Sequence, residues 1–271
     1  MPLIAKLLAG LALLYVGLVL GMRAQEREFV YLIDPERVSP AAIGLSGVSE
    51  RVLTTADDQR IVAWTMAAQA GKPTLLYFHG NGGNLAVREQ RIKAMQASGY
   101  GLLMMAYRGY SGSTGTPSET AIAGDARLAY DTLLHDGIKP ANIVVYGESL
   151  GTGVAVTLAS QVAAGAVILD APYTSLPDVA AGRFWYLPVR FLMRERYNSL
   201  AKIKSVHAPL LILHGEFDPV IPVAMGKAMF AAANEPKRMV VVPGGGHSNL
   251  LRLGAFDEVR KFVDALQIAR Q

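Results

Sequence analysis

The chain has 271 residues, 51% of them hydrophobic and 18% charged, which supplies a buried core and excludes an intrinsically disordered chain. It contains no cysteine, which excludes disulfides and thiolate metal sites and leaves the compartment open. The net charge is +4, with basic residues scattered (Arg51, Lys72, Arg88, Arg127, Lys139, Lys202, Lys261) rather than gathered into the stripe that a nucleic-acid partner requires, so no nucleic acid is expected.

Residues 7–22 read LLAGLALLYVGLVLGM, sixteen residues without a charge. At about 1.5 Å per residue this is roughly 24 Å of helix. Starting at Leu3 it reaches about the 30 Å of a hydrocarbon core, provided Lys6 snorkels to the interface. A cleaved signal peptide needs small residues at its cleavage site, and Met22-Arg23-Ala24 does not supply them. Residues 1–25 are therefore expected to be an uncleaved membrane anchor. Lys6 and the amino terminus lie before the span and Arg23, Arg27 and Arg37 after it, too nearly balanced to set the orientation.

Residues 26–43 are mixed and polar, with Pro35 and Pro40, and read as a linker. From residue 44 to 271 the pattern is that of one α/β domain, whose usual size is about 200–250 residues. Strands are expected at 48–54, 61–66, 74–78, 102–106, 143–146, 166–169, 210–213 and 239–242. Several are continuous runs of Val, Ile and Leu, as strands buried on both faces require. Helices are expected at 85–97, 118–135, 150–162, 223–233 and 255–269. Strand–helix alternation implies parallel strands with right-handed crossovers. The first two strands have no helix between them and should open the sheet as an antiparallel pair.

Gly147-Glu148-Ser149-Leu150-Gly151 matches G-x-S-x-G, and its setting gives the match weight. A β-run at 142–146 precedes it and a helix-forming run at 154–160 follows, the strand–turn–helix of a nucleophile elbow. The two glycines make room for a sharp turn that presents the Ser149 hydroxyl over a helix amino terminus, where negative charge is favoured. A serine needs a base. Of five histidines, only His207, His214 and His247 follow Ser149. His207 precedes a strand and His214 ends one. His247 follows a strand within Val242-Pro243-Gly244-Gly245-Gly246-His247, where the chain can turn it over the sheet edge, so it is the expected base. Asp218, after the preceding strand, is the expected acid, with Glu216 and Asp170 as rivals. Acyl transfer also needs donors for a developing oxyanion. The N–H of Leu150 is one. The N–H of Asn81, in His79-Gly80-Asn81-Gly82-Gly83-Asn84 after the third strand, is the other. His79 is expected to order this loop rather than react.

Together with Tyr107-Arg108-Gly109-Tyr110-Ser111-Gly112-Ser113, Pro172-Tyr173-Thr174-Ser175 and His214-Gly215-Glu216-Phe217-Asp218, these motifs occur in an order that resembles the membrane-associated α/β-hydrolases grouped with the serine aminopeptidase-like hydrolases. Relatives of that group include protein-depalmitoylating thioesterases. The resemblance runs from about residue 48 to the end. It implies the α/β-hydrolase fold, a mostly parallel eight-stranded sheet with helices on both faces, and a short cap insertion. It carries the roles of nucleophile, acid and base to Ser149, Asp218 and His247, and it carries no substrate. The extra glycines before His247 depart from the usual pattern and could loosen its loop.

The cap is expected at about 173–205. Within it, residues 180–196 (AAGRFWYLPVRFLMRER) form the most aromatic stretch of the chain. They read either as an acyl-binding or membrane-facing lid or as a short helix packed on the core. The expectation as a whole is a membrane-anchored serine hydrolase. It cleaves carboxylic esters or thioesters of small or lipid-like acyl substrates through a covalent acyl-enzyme, and it uses neither metal nor organic cofactor. A serine aminopeptidase is the enzymatic alternative, although no carboxylate pair marks a site for a substrate amine. A non-catalytic scaffold is the other, although such proteins typically lack part of the catalytic set.

Overall fold

The computed structural model describes residues 2–266. Eight strands form one sheet: β1 (Ser49–Thr54), β2 (Arg60–Met66), β3 (Thr74–Phe78), β4 (Gly101–Met105), β5 (Ile143–Glu148), β6 (Ala166–Asp170), β7 (Leu210–Gly215) and β8 (Lys237–Val242). Their order is β1-β2-β4-β3-β5-β6-β7-β8. β1 pairs antiparallel with β2, β2 pairs antiparallel with β4, and every later pair is parallel. All eight expected strands are present, and the antiparallel opening is as expected. Strands β3, β4, β6 and β7 are buried along their whole length, which is why their sequences are apolar without alternation.

The helices in chain order are α1 (Pro2–Ala24), α2 (Glu26–Val30), α3 (Glu89–Ala97), α4 (Glu119–His135), α5 (Leu150–Ala159), α6 (Leu176–Arg183), α7 (Val189–Leu192), α8 (Ser199–Lys202), α9 (Val223–Ala232) and α10 (Ala255–Ala265). Ser118 begins α4 by accepting the Ala121 N–H, and Ser175 begins α6 by accepting the Asp178 N–H. The helix expected at 85–97 is divided. A 3-10 turn, Leu85–Arg88, is started by Asn84, which accepts the Ala86 N–H, and α3 follows it. The expected helix 150–162 stops at Ala159, and the helix 255–269 stops at Ala265. Residues 267–269 of that expected helix lie outside the described residues. α5 is buried throughout, and its small residues allow close approach: a Cβ on Gly153 would meet Tyr173 and Tyr197.

α1 is long and apolar enough to cross a membrane, with its Leu3–Ala24 window unburied. Residues 26–43, which read as a linker, lie against the domain instead. Tyr31 is 2% exposed, and its hydroxyl donates to Glu195 Oε2 at 2.7 Å. Glu26 is buried and accepts the N–H groups of Arg194 and Glu195, each at 2.8 Å. Leu32 forms a parallel bridge with Gly82. Hydrogen bonds and isolated apolar contacts of Val30, Tyr31, Pro40 and Ile43, rather than a periodic stripe, dock this segment, so hydrophobic periodicity does not announce it.

Candidate active site

The turn between β5 and α5 places Ser149 at φ +51°, ψ −116°, a left-handed conformation that a side chain adopts only under constraint. The constraint is visible in its neighbours. The Ser149 N–H donates to the Asp170 carbonyl at 2.8 Å, and its own carbonyl accepts the Thr152 N–H and the Thr152 hydroxyl. A Cβ on Gly147 would strike the Gly151 backbone, and one on Gly151 would strike the carbonyls of Phe78 and His79. Both glycines of the motif are therefore required by close backbone approach.

Two distant segments converge on this turn. The Ser149 Oγ lies 2.9 Å from His247 Nε2, and His247 Nδ1 lies 2.8 Å from Asp218 Oδ2. The other Asp218 oxygen accepts the N–H groups of Val220 and Ile221, each at 2.8 Å. A carboxylate can only accept here, so Nδ1 carries the imidazole proton and Nε2 faces Ser149 as an acceptor. Burial raises the Asp218 pKa, but the His247 and backbone hydrogen bonds outweigh it, and the carboxyl titrates below its ordinary range. Burial likewise lowers His247, but the Asp218 hydrogen bond and charge prevail, so His247 titrates above its ordinary value.

The glycine run before His247 is tied down rather than loose. Phe217 N–H donates to the Gly245 carbonyl at 2.8 Å, and Gly246 N–H donates to Asn249 Oδ1 at 2.7 Å. Glu216, a rival acid, accepts the Gly244 N–H at 3.1 Å and is thereby turned to this loop's backbone. His214 donates Nε2–H to the Ile221 carbonyl at 2.8 Å and is fully buried, with its ionisation disfavoured by burial. His207 sits before β7, away from the carboxyl end of the sheet.

The loop after β3 lies beside Ser149, and a Cβ on Gly80 would come within 3.4 Å of the serine Cβ. Leu150 is the first residue of α5, so its N–H is among those a helix leaves without an internal partner. Asn81 is held from two sides: its carbonyl accepts the Tyr110 hydroxyl at 2.8 Å, and its amide donates to the Val30 carbonyl at 3.1 Å. His79 is 1% exposed and stacks on Tyr107 at 4.0 Å between ring centres. Its Nδ1–H donates to the Gly80 carbonyl, and Nε2 accepts the Tyr107 N–H. Burial and then the Arg88 charge push its pKa down to about 3, so it stays neutral.

Behind the elbow lies a group that the sequence did not disclose. Glu148 accepts the Tyr77 hydroxyl at 2.6 Å and faces Arg88 at 3.5 Å and Arg91 at 3.8 Å. Burial opposes its ionisation, but Arg91 and Arg88 hold its pKa down to about 2. Asp170, the other rival acid, pairs with Arg91 at 2.8 Å. Burial raises its pKa, against the pull of Arg91. These residues are dispersed in the chain, and Glu148 alone lay in a motif, at its variable position. Among the described residues, no group of three or more His, Asp or Glu side chains gathers as a metal site would need.

The comparisons agree with this architecture. Residues 73–201 match the family model described as alpha/beta hydrolase fold. The chain is 36% identical over 266 residues to the uncharacterized protein Rv2307c of Mycobacterium tuberculosis, covering 96% of this chain and 95% of that one. It is 30% identical over 191 residues to the lysophosphatidylserine lipase ABHD12 of Danio rerio, covering 63% of this chain and 50% of that one. An esterase of Pyrococcus furiosus, Pf2001, shares the fold with a TM-score of 0.68 at 20% identity, over 86% of this chain and 99% of the esterase. With the sheet order, the strained Ser149 turn and the segments gathered around it, these likenesses make the chain a member of the α/β-hydrolase superfamily.

Proposed function

We propose that the protein is a serine hydrolase of carboxylic esters or thioesters, held at a membrane by α1. The observation that carries the chemistry is the unbroken hydrogen-bonded chain from Ser149 through His247 to Asp218 at the mouth of the elbow. Ser149 Oγ attacks the substrate carbonyl and passes its proton to His247 Nε2. Asp218 keeps the imidazole in the accepting tautomer and stabilises the imidazolium. The N–H groups of Asn81 and Leu150 receive the oxyanion. His247 then protonates the leaving alcohol or thiol, and water, deprotonated by His247, releases the acyl group from Ser149. Among the named relatives, a lysophosphatidylserine lipase supports an acyl ester of a lipid as the substrate class. The apolar length of α1 supports attachment to the membrane that holds such a lipid.

The test is labelling with a fluorophosphonate probe, together with turnover of p-nitrophenyl esters of graded chain length. Wild-type protein should label and turn over. Ser149→Ala should do neither while keeping its melting temperature. A Ser149→Ala protein that retains more than a few per cent of wild-type turnover would remove Ser149 from the mechanism.

A further inference from the structure

The cap touches the amino-terminal helices at two levels, α2 at Glu26 and α1 at Tyr15. Just beyond the end of α1, Glu26 accepts the N–H groups of Arg194 and Glu195. Far inside the apolar helix, the Tyr15 hydroxyl donates to the Tyr186 carbonyl at 3.0 Å. Tyr15 stands nine residues before Ala24, which is about 14 Å of helix, close to half the thickness of a hydrocarbon core. The cap segment is thus tied near the exit of α1 at Arg194 and Glu195, and to its middle at Tyr186.

The side chains on this segment fit such a position. Trp185 is 83% exposed, Phe191 88% and Tyr186 50%, and Trp185 packs edge-on against Tyr186. These are large apolar surfaces left without protein cover, in the same stretch that approaches the apolar helix. Arg23 at the end of α1, Arg27 in α2, and Arg183, Arg190, Arg194 and Arg196 on the cap are exposed around them, although Arg27 pairs with Glu195 and Arg190 with Asp178. Arginines at the rim of an aromatic patch suit anionic headgroups above acyl chains. A hydroxyl within a bilayer needs a partner, and the Tyr186 carbonyl is the one that Tyr15 has.

We infer that the aromatic cap, residues 184–193, penetrates one leaflet beside α1, with Trp185 and Phe191 among the acyl chains. This rests on the proposal that α1 spans a membrane. The occupant of the patch is lipid, and the catalytic domain is held at a fixed depth and orientation rather than swinging on a tether.

Trp185 supplies the test, because the other tryptophan, Trp64, is 1% exposed. Full-length protein is reconstituted in vesicles of phosphatidylcholine and phosphatidylglycerol that carry brominated acyl chains, and its fluorescence is compared with that of Trp185→Phe. The inference expects flotation with the vesicles and loss of tryptophan emission on bromination, and this loss should disappear in Trp185→Phe. Trp185 is so exposed that this variant should keep its fold, which a melting curve checks. Tyr15→Phe should still float but should show weaker quenching by deeply brominated lipid. Protein that floats while its Trp185 emission is quenched by aqueous iodide and not by bromolipid would overturn the inference and leave the anchor standing. Emission shielded from both quenchers, with cross-links between caps, would overturn it in favour of a second copy of the chain. Protein that fails to float at all would overturn the anchor as well.

Discussion

Asp218→Asn tests the assignment of the acid most sharply, because both carboxylate oxygens are in use. Oδ1 accepts two backbone N–H groups and Oδ2 accepts the His247 Nδ1–H, all at 2.8 Å. An asparagine amide has one accepting oxygen. If that oxygen stays on the Val220 and Ile221 N–H groups, the NH2 faces His247, Nδ1 must accept, and the proton moves to Nε2. Nε2 then donates to Ser149 instead of accepting from it. The flipped amide sets its NH2 against two backbone donors, at about 1–3 kcal/mol for each buried donor left unsatisfied. The first arrangement wins, and it fixes the wrong tautomer. A lesion of that kind lowers kcat by about ten-thousandfold, or about 5.5 kcal/mol of transition-state stabilisation. Asp170 cannot take over, since its carboxylate is held by Arg91 at 2.8 Å. Asp170→Asn should accordingly stay within about tenfold of wild type, about 1.4 kcal/mol. The assay is kcat on a water-soluble p-nitrophenyl ester, with a thermal melt of each variant to show that it is folded. An Asp218→Asn enzyme within tenfold of wild type, or an Asp170→Asn enzyme that is equally crippled, would refute the argument.

His247 must be neutral to accept the Ser149 proton and its pKa is raised, so kcat/KM should climb with pH through a value above the ordinary ~6.5 and then level off; a profile flat from about pH 5 to 9 contradicts this. Gly151→Ala should destabilise the fold by about 1–3 kcal/mol or more, since the new methyl meets backbone rather than a movable side chain; an unchanged melting temperature would show that the close approach is not real. Deleting residues 1–25 should release a soluble domain with nearly unchanged kcat/KM on a small ester, though the exposed cap aromatics could still hold it on lipid. Deleting residues 1–43 also removes the Val30 carbonyl that holds Asn81 and should cost activity; equal activity of the two truncations would deny the segment that role.

The middle of the sheet was legible in the sequence because β3, β4, β6 and β7 are buried along their whole length and announce themselves as apolar runs. The elbow was legible because two glycines must sit at fixed offsets from Ser149. Where the expectations fell short, hydrogen bonds rather than burial shape the chain. The stretch 26–43 is polar and proline-containing, as a tether would be, yet Glu26, Tyr31 and Asp34 find partners at Arg194, Glu195 and Asn84. Each of those partners is at least fifty residues away, so no local pattern links them. The strand at 239–242 begins two residues earlier, at Lys237, where polar side chains at the sheet edge hide the start. The glycine run, which could have loosened the His247 loop, is hydrogen-bonded for a similar reason. Asn249 and Glu216 cap its N–H groups; Asn249 belongs to no quoted motif, and Glu216 drew notice only as a rival acid.

In the proposed mechanism, the ion cluster behind Ser149 is what would allow the Asn81 loop to serve as a donor. Two carboxylates so close to a developing oxyanion, Glu148 and Asp170, would oppose it if they stood alone. Arg88 and Arg91 face them, so two positive charges offset two negative ones at a site where the effective dielectric is low. Arg88 does more than balance charge. Its guanidinium also donates to the carbonyls of Gly80, Gly82 and Asn84, the backbone on either side of Asn81. The same loop is held by the Tyr110 hydroxyl at the Asn81 carbonyl and by the Val30 carbonyl at the Asn81 amide. Glu148, the neighbour of Ser149, is fixed in turn to Tyr77 on β3 and to Arg88. The Asn81 loop and the Ser149 turn are thus joined through one buried cation, Arg88. Donors fixed in this way need no reorganisation as negative charge forms on a carbonyl oxygen, and that is the condition under which backbone N–H groups lower a barrier.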